Sequence, residues 1–414
     1  MFALRVFVPF ALGYFLSYLY RVVNAVIAPD LIRDVGLDAS SLGLLTSAYF
    51  LTFAAFQLPL GVLLDKIGPR RTEATLLLFA ALGAIVFGQA ETTGGLILGR
   101  ALIGFGVSAC LMAAFKAFVI WFPRERLPFV NGCQMAAGGL GAITGTMPVA
   151  AALGVIDWRG VFLALGALTL VVALIILIVV PERKSGHGYE PVRVQLEGIG
   201  KVFTSSLFWR AAPLTVAAQA TFLSIQSLWA GPWLRDVAGM DRAEVADHLL
   251  LIAVAMVAGF LGIGWTAQKA SRLGLPPLVF AVCCIAVFIA VQGTLILHGS
   301  GQGSEPGSVT MLWMAFGFFG TSGIVPYAAL SQQFPAYLAG RVNSGINVMV
   351  FAAAFAAQWG IGVVIGLWAN SGADGYAATG YRAAFVVMLA LQLLALAWFV
   401  IFRRAGVPED RTPT

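Results

Sequence analysis

Three basic residues lie inside long apolar runs of this sequence, and two of them, Arg21 and Lys116, are candidates for ligand binding. Arg21 lies about 16 residues into the first run, and Lys116 lies toward the end of the fourth. An ionised side chain within a bilayer costs at least a few kcal/mol, so such residues are normally kept for a function. A guanidinium grips a carboxylate or phosphate through two parallel hydrogen bonds. These residues predict an anion-binding site with Arg21 as its main contact and Lys116 as a second.

Both residues also have a structural interpretation. Arg21 would then extend toward the outer surface, or pair with Asp30 or Asp34 near the end of the same run. Lys116 would extend its ammonium group to the inner surface while its methylene chain stays among apolar residues. The sequence leaves both alternatives open.

Acidic residues are absent from the middle of the predicted spans. Of the 19 acidic residues, Asp30 and Glu73 come closest, and both are predicted at helix ends. Proton-coupled sugar and cation carriers usually need a buried carboxylate. The three histidines (His187, His248 and His298) fall in loops or at a helix edge, so no histidine relay is predicted. This pattern favours a negatively charged substrate, or one that carries a carboxylate.

Amides and aromatic residues within the spans complete the predicted substrate site. Asn343 and Asn347 are one helical turn apart and share a face. Each amide has the alternative role of a hydrogen bond between helices. Besides Arg21 and Lys116, the candidates for substrate binding are Tyr20, Asn24, Gln134, Gln226, Trp229, Tyr327, Asn343 and Asn347.

The composition excludes a soluble protein. Apolar residues make up 60% of the chain and charged residues 11%, and the mean hydropathy is +0.90. The sequence pI near 9.3 does not indicate nucleic-acid binding, because the basic residues lie in short loops between apolar runs. The four cysteines lie within apolar segments without the spacing of a disulfide framework, so we interpret them as reduced packing residues.

Twelve apolar stretches are long enough to cross a bilayer, which takes about 20 residues each. A polar segment, 182–208, separates two groups of six. It divides the chain into an N-terminal bundle (1–181), a cytoplasmic linker (182–208), a C-terminal bundle (209–404) and a cytoplasmic tail (405–414). The stretches are 5–29, 40–64, 72–90, 95–120, 127–153, 159–180, 209–233, 245–267, 276–297, 309–332, 342–368 and 382–403.

The distribution of basic residues and internal repeats predict the topology. With the N-terminus inside, 17 Lys and Arg residues lie on the cytoplasmic side and 5 on the other, so both termini are predicted inside. The residues 32–35, Ile-Arg-Asp-Val, recur as Leu-Arg-Asp-Val at 234–237. Arg159 and Phe162 recur as Arg382 and Phe385. Ordered repeats predict two related bundles with a substrate site between them, near the membrane midplane.

A charged turn at 61–71 joins the second and third stretches. It carries, in order, Gly61, Asp65, Lys66, Gly68, Arg70 and Arg71. This spacing resembles the loop between the second and third helices of major facilitator transporters. The resemblance implies a latch, in which Asp65 pairs with basic groups of a neighbouring helix end and closes one face of a carrier. The alternative is a positive-inside anchor with incidental glycines.

Further motifs extend this resemblance over nearly the whole chain. Arg100, Gly104 and Gly106 look like the fourth-helix motif, which implies a packing and gating role for Arg100. The alternative, if its guanidinium faces the cavity, is that Arg100 helps to pass protons or to bind the anion. The segment 20–29 resembles the first helix of organic-phosphate antiporters and anion–cation symporters, where an arginine eight residues before a proline binds the anionic substrate. The resemblance implies that role for Arg21. The fifth-helix antiporter motif is incomplete, because Thr146 follows Gly145.

The sequence therefore predicts an all-α membrane protein of twelve helices in two pseudo-symmetric six-helix bundles, the major facilitator fold. It predicts a secondary transporter that moves a small organic anion, of carboxylate or phosphate type, across a bacterial inner membrane by alternating access. The alternative cargo is a zwitterion, such as a short peptide or amino-acid derivative, or a carboxylate siderophore.

The predicted partners are the anionic substrate and the lipid bilayer. No enzymatic activity, cofactor, metal site or nucleic-acid partner is expected, and the protein is predicted to be a monomer. Coupling to protons, sodium or a counter-substrate stays open.

Overall fold

The computed structural model of the protein describes residues 2–182, 192–298, 306–368 and 375–402. Every regular element in these ranges is helical. The N-terminal set comprises α1 (Phe2–Val35), α2 (Ala39–Lys66), α3 (Pro69–Gln89), α4 (Thr93–Val107), α5 (Cys110–Trp121), α6 (Leu127–Thr144), α7 (Met147–Ala152) and α8 (Trp158–Val179).

The remaining helices follow a stretch outside the described ranges. A short helix, α9 (Val192–Phe203), lies within the predicted linker. The C-terminal set comprises α10 (Ser206–Ser224), α11 (Ala230–Asp236), α12 (Arg242–Arg272), α13 (Pro277–His298), α14 (Pro306–Gly320), α15 (Val325–Ser331), α16 (Ala336–Ile365) and α17 (Ala378–Ile401).

Within the described residues, eleven helical segments are long and apolar enough to cross a membrane. Three of them join two helices each: α4 with α5, α6 with α7, and α14 with α15. The predicted seventh stretch is also helical, but a π-helical turn, Ile225–Trp229, separates α10 from α11. This segment is not among the eleven. The all-helical membrane architecture is thus confirmed, with eleven such segments.

Local sequence signals fix where the helices begin. The Asp38 and Asp157 side chains accept hydrogen bonds from the backbone N–H groups of Ser41 (2.8 Å) and Gly160 (2.7 Å), which caps α2 and α8. Gly68 has a φ of 85°, a value that L side chains rarely adopt, and Pro69 follows it as the first residue of α3. The glycine in the charged turn is therefore required by the backbone.

Glycines in α4 allow close packing of neighbouring helices. A Cβ atom added at Gly104 would overlap the α2 backbone at Tyr49, and one added at Gly106 would overlap α3 at Ala80. The packing function predicted for these two glycines is what the structure shows.

Helix α2 packs along α16 and joins the two sets of helices. A Cβ at Gly43 would overlap the backbone at Gln358. Further along, the rings of Phe53 and Phe351 lie 4.2 Å apart, centroid to centroid. The interface between the sets therefore runs along most of these two helices.

The predicted repeat has matching contacts in both sets. In the N-terminal set, the indole N–H of Trp158 donates to the Asp34 carboxylate (2.9 Å). In the C-terminal set, the hydroxyl of Tyr381 donates to the Asp236 carboxylate (2.7 Å). Each aromatic residue directly precedes one of the repeated arginines, and each aspartate belongs to the repeated four-residue motif. The same helix ends are thus tied together in both halves of the sequence.

Candidate functional site

Arg21 lies in a cage of aromatic rings within the helical core. Its side chain is on α1, and the residue is 5% exposed. The guanidinium carbon lies 4.4 Å from the ring centroid of Tyr18, 5.4 Å from Phe351, 5.8 Å from Phe53 and 6.0 Å from Tyr49. Cation–π attraction favours these positions. We call these four rings the Arg21 cage.

The Arg21 cage contains no counter-ion. Among the described residues, no carboxylate forms a salt bridge with Arg21, and its Nε atom is buried without a hydrogen-bond partner. The two aspartates considered as partners are engaged elsewhere. Asp30 pairs with Arg33 (3.1 Å) and Arg242 (2.7 Å), and Asp34 pairs with Arg33 (3.0 Å). The alternative pairing of Arg21 with either aspartate is therefore not what the structure shows.

Residues from both sets of helices form the site. Phe351 of α16 contributes to the Arg21 cage and stacks near Phe53 of α2. One helical turn away from Phe351, the amide of Asn347 donates to Gln57 of α2 (3.1 Å). Arg21 is consequently held where the two sets of helices meet.

Arg100 connects three helices of the N-terminal set behind the cage. Its Nη1 atom donates to the backbone carbonyl of Tyr20 (2.8 Å), and its guanidinium carbon lies 5.3 Å from the Tyr49 ring. The hydroxyl of Tyr20 is hydrogen bonded to Thr169 of α8 (2.9 Å). Tyr20 therefore contacts the interior of its own set and not the Arg21 guanidinium.

The predicted amide contacts serve several structural purposes. Asn24 donates to Thr46 of α2 (3.0 Å) and Gln134 donates to the Phe10 carbonyl of α1 (3.1 Å). The indole of Trp229 donates to the Gln358 carbonyl (3.0 Å). These hydrogen bonds join helices, but the buried Oδ1 of Asn24 and Oε1 of Gln134 keep no partner within the described residues.

The other three candidates differ in environment. Gln226, in the π-helical turn, is buried, whereas Tyr327 and Asn343 are partly buried. The Oδ1 atom of Asn343 has no hydrogen-bond partner within the described residues. None of the three is among the residues that contact the Arg21 guanidinium.

Lys116 of α5 forms a salt bridge with the charged turn. Its Nζ atom lies 2.5 Å from the Asp65 carboxylate, and the two side chains are 31% and 32% exposed. In this structure the latch aspartate, Asp65, thus pairs with a basic residue of the neighbouring helix α5. Lys116 does not reach the Arg21 cage, and we remove it from the candidate substrate contacts.

The arginines of the charged turn hold the end of α8. Arg70 donates to the Leu177 carbonyl through Nε (3.1 Å), and Arg71 pairs with Glu182 (2.8 Å). A cavity of about 220 Å³ lies at this turn, between Asp65, Arg70 and Glu182. It is lined by both charge signs, so it does not offer the uncompensated positive charge that the Arg21 cage offers.

The remaining predicted latch residues lie at the same end of α2. Lys66 is the last residue of this helix. Gly61 lies one turn before Asp65, and a Cβ atom added there would have no other atom within 4 Å. Of the contacts named above, those of Asp65 with Lys116 and of Arg70 with Leu177 join helices of the N-terminal set, whereas Arg71 pairs with Glu182 just beyond α8.

Sequence reasoning missed most of the Arg21 cage. Tyr18 lies three residues before Arg21, and Tyr14 lies four residues before Tyr18, so helical spacing places all three side chains on one face of α1. Tyr49 and Phe53 are likewise one turn apart on α2. That spacing was available in the sequence, whereas nothing in it connects Phe351 with Arg21.

Glu73 is also placed differently from the expectation. It lies in the second turn of α3, near a helix end as predicted, but it has no exposed surface. The expectation that no carboxylate is buried among the spans is therefore wrong for this residue.

Comparison with known proteins agrees with this architecture. Residues 10–358 match the model of the family described as Major Facilitator Superfamily. The chain belongs to this superfamily. Among solved structures, it is similar to a bacterial homologue of the human lysosomal transporter Spinster in an inward-facing and occupied conformation. The TM-score is 0.78 at 17% sequence identity, over 100% of this chain and 99% of that one. This similarity shows a shared major facilitator fold.

Several curated major facilitator relatives are transporters of anions by name. The chain is 27% identical over 265 residues to the probable sulfoacetate transporter of Cupriavidus necator, covering 61% of each protein. It is 29% identical over 170 residues to the hexuronate transporter of Escherichia coli, covering 40% of this chain and 39% of the relative. The matches thus span less than two-thirds of either relative.

Proposed function

We propose that this major facilitator protein is a secondary active transporter of a small organic anion of carboxylate or phosphate type, with sulfonates included as the closest chemical variant. One observation carries the proposal: the Arg21 guanidinium is buried among rings from both sets of helices and lacks a carboxylate partner within the described residues. The names of the sulfoacetate and hexuronate transporters support the same substrate class.

The energetics of a buried cation favour an anionic ligand. Desolvation of an ion costs several kcal/mol unless a partner and hydrogen bonds compensate for it. The rings of the Arg21 cage supply only part of this compensation, since cation–π attraction is about 0.5–2 kcal/mol for each well-placed ring. An incoming carboxylate, phosphate or sulfonate would complete it through two charge-assisted hydrogen bonds.

The zwitterionic alternative lacks a second binding group. An ammonium group of a peptide or amino-acid derivative would need a carboxylate near Arg21. The described carboxylates on α1 and α2 are Asp30, Asp34 and Asp65, and each of them is already in a salt bridge. We therefore favour the simple anion.

We further propose that the protein works by alternating access and that this structure is its inward-facing state. At the end of the molecule predicted to face outward, the two sets of helices are held together by Asp30 with Arg242 (2.7 Å) and by the hydroxyl of Tyr376 with the Leu37 carbonyl (3.3 Å). At the other end, Asp65 pairs with Lys116 of its own set.

The same proposal includes a twelfth membrane span, two helical bundles and cytoplasmic termini. The helical segment 206–236 would be the twelfth span, with the π-helical turn as an interruption of the kind that membrane helices tolerate where neighbours satisfy the backbone. Residues 1–181 and 209–404 would form the two bundles. The excess of Lys and Arg would place both termini in the cytoplasm of a cell with an inner membrane.

Substrate screening and flux measurements test this function. Purified protein is screened for thermal stabilisation by sulfoacetate, glucuronate, galactonate, nitrate and an organic phosphate, because a ligand at 100 times its Kd stabilises by about 2.7 kcal/mol. Anions that stabilise the protein are then tested for counterflow in proteoliposomes. We expect at least one anion to exchange, and to do so only when Arg21 is intact. Stabilisation and flux with neutral or cationic compounds alone would overturn the proposal.

A further inference from the structure

Glu73 is a buried carboxyl group that neither the anion site nor the charged turn uses. It extends from α3 toward α1 and α5 and has no exposed surface. A Cβ atom added at Gly13 of α1 would overlap its Oε1 atom, so the absence of a side chain at Gly13 creates the space that the carboxyl group fills. Neither carboxyl oxygen has a well-formed hydrogen bond within the described residues.

The Cys110 thiol of α5 lies beside the same space, since its sulfur would be 3.8 Å from a Cβ atom added at Gly13. Cys110 is fully buried as well.

No basic side chain on the helices around Glu73 forms a salt bridge with it within the described residues. Lys116 of α5 pairs with Asp65, and Arg100 of α4 donates to the Tyr20 carbonyl. The ionisable groups on the surrounding elements are Arg5, Tyr14, Tyr18, Tyr20, Arg21, Asp30, Arg33 and Asp34 on α1, Tyr49, Asp65 and Lys66 on α2, Arg70 and Arg71 on α3, Arg100 on α4, Cys110 and Lys116 on α5, and Arg159 on α8.

An ionised carboxylate in this position would be desolvated without a compensating partner, which is strongly unfavourable. A neutral carboxylic acid fits the same space. The packing around Gly13 and Cys110 therefore accommodates the side chain with its proton, and loss of the proton requires water or a change in the nearby charge.

We propose that Glu73 is the proton-carrying group of this transporter and that it couples proton movement to anion binding at Arg21. This inference rests on the proposed function. Gly13 and Arg21 are eight residues apart on α1, a rise of about 12 Å. Across that distance in a medium of low dielectric constant, the charge of one group still acts on the other.

The coupling has a definite sign. With the anion site empty, the positive charge of Arg21 favours release of the Glu73 proton. A bound anion compensates that charge and favours the protonated acid. Binding of the anion and of the proton is therefore mutually favourable, and by thermodynamic reciprocity each raises the affinity for the other. The transporter would move both in the same direction. In each cycle, water at one membrane face would protonate the Glu73 carboxylate, and the O–H bond so formed would break at the other face, with the proton passing to water.

The transport test compares Glu73→Gln with the wild type in proteoliposomes. Glutamine keeps the shape of the protonated acid and cannot release a proton. The probe is whichever of sulfoacetate, glucuronate or galactonate the wild type exchanges. We expect Glu73→Gln to retain counterflow and to lose accumulation driven by a pH gradient. Glu91→Gln, which changes an exposed acid just beyond the other end of α3, is the matched control and should behave as the wild type.

Infrared spectroscopy tests the protonation of Glu73 without any ligand. The wild type should show the carbonyl stretch of a buried carboxylic acid, and this band should be absent from Glu73→Gln. If that variant does not fold, Glu73→Asp serves instead, and the band should shift in frequency. A wild type without the band, or a Glu73→Gln protein that still accumulates anion under a pH gradient, would overturn the inference. Absence of anion transport by the wild type would overturn the proposed function itself.

Discussion

Replacing Arg21 by lysine separates the charge of the proposed site from its hydrogen-bonding geometry. Lysine keeps a positive charge among the four rings of the cage but presents a compact ammonium in place of a planar fork. The variant should lose one of two charge-assisted hydrogen bonds to the anion, about 1.5–3 kcal/mol. At about 1.4 kcal/mol for each factor of ten, this corresponds to a Kd weakened by about 10- to 150-fold.

Arg21→Met removes the charge and keeps an unbranched chain. Loss of a desolvated charge pair with the ligand should cost about 2–5 kcal/mol, or about thirtyfold to several thousandfold in affinity. The stability of the ligand-free protein, unlike its affinity for the anion, should not fall. Because the wild-type cation is buried without a carboxylate partner, its removal should leave the melting temperature unchanged or raise it.

Calorimetric titration of the purified variants with the stabilising anion measures the affinities, and thermal unfolding without ligand measures stability. Arg33→Lys is the matched control. Arg33 lies on the same helix, but its side chain is 65% exposed and its salt bridges lie at the surface, so the change should alter neither quantity appreciably. Arg21→Lys with wild-type affinity, or a marked loss of ligand-free stability in Arg21→Met, would show that Arg21 has a structural role and would refute the anion-site reasoning.

Three further predictions concern the ends of the molecule and its packing. Asp65→Asn should fold normally, since its salt bridge is about one-third exposed, but it should slow counterflow at unchanged anion affinity. Lys116→Met combined with it should be no slower than the single variant if the two residues act as a pair. Asp30→Asn should weaken the contact with Arg242 by about 1–3 kcal/mol and so open the outer end of the protein. Spin labels on α1 and α12 should then lie farther apart than in the wild type, and unchanged distances would contradict this prediction. Gly104→Ala should lower stability by about 1–3 kcal/mol because its methyl group meets the α2 backbone, whereas Gly132→Ala, in open space, should not.

The sequence predicted well those features that the bilayer imposes. Apolar runs of the required length, with basic residues concentrated on one side, follow directly from the cost of polar groups in hydrocarbon. The charged turn at 61–71 and the glycines of α4 have local backbone or packing requirements, so their spacing alone was informative. Arg21 was identified because an ionised side chain within an apolar helix carries a free-energy cost whatever the helix packs against.

Single polar residues were less predictable. Lys116 and Arg21 look alike in the sequence, since each is a cation inside an apolar run, yet Lys116 pairs with Asp65 and Arg21 pairs with no described carboxylate. Glu73 was expected at a helix end and is indeed close to one, but Gly13 of another helix opens the space that buries it. Position along a helix does not determine what lies beside it.

The amino-acid sequence by itself thus determined the membrane class, the family, the internal repeat and the presence of a cation in the first helix. Each of these depends on composition or on spacing within a short segment. Only the tertiary structure decided that Phe351, 330 residues away, closes the Arg21 cage, and that Glu73 lies against Gly13. Helical periodicity fixes which side chains share a face, but the rotation of each helix against its neighbours is set by packing of the whole core, and that rotation selects the residues that meet.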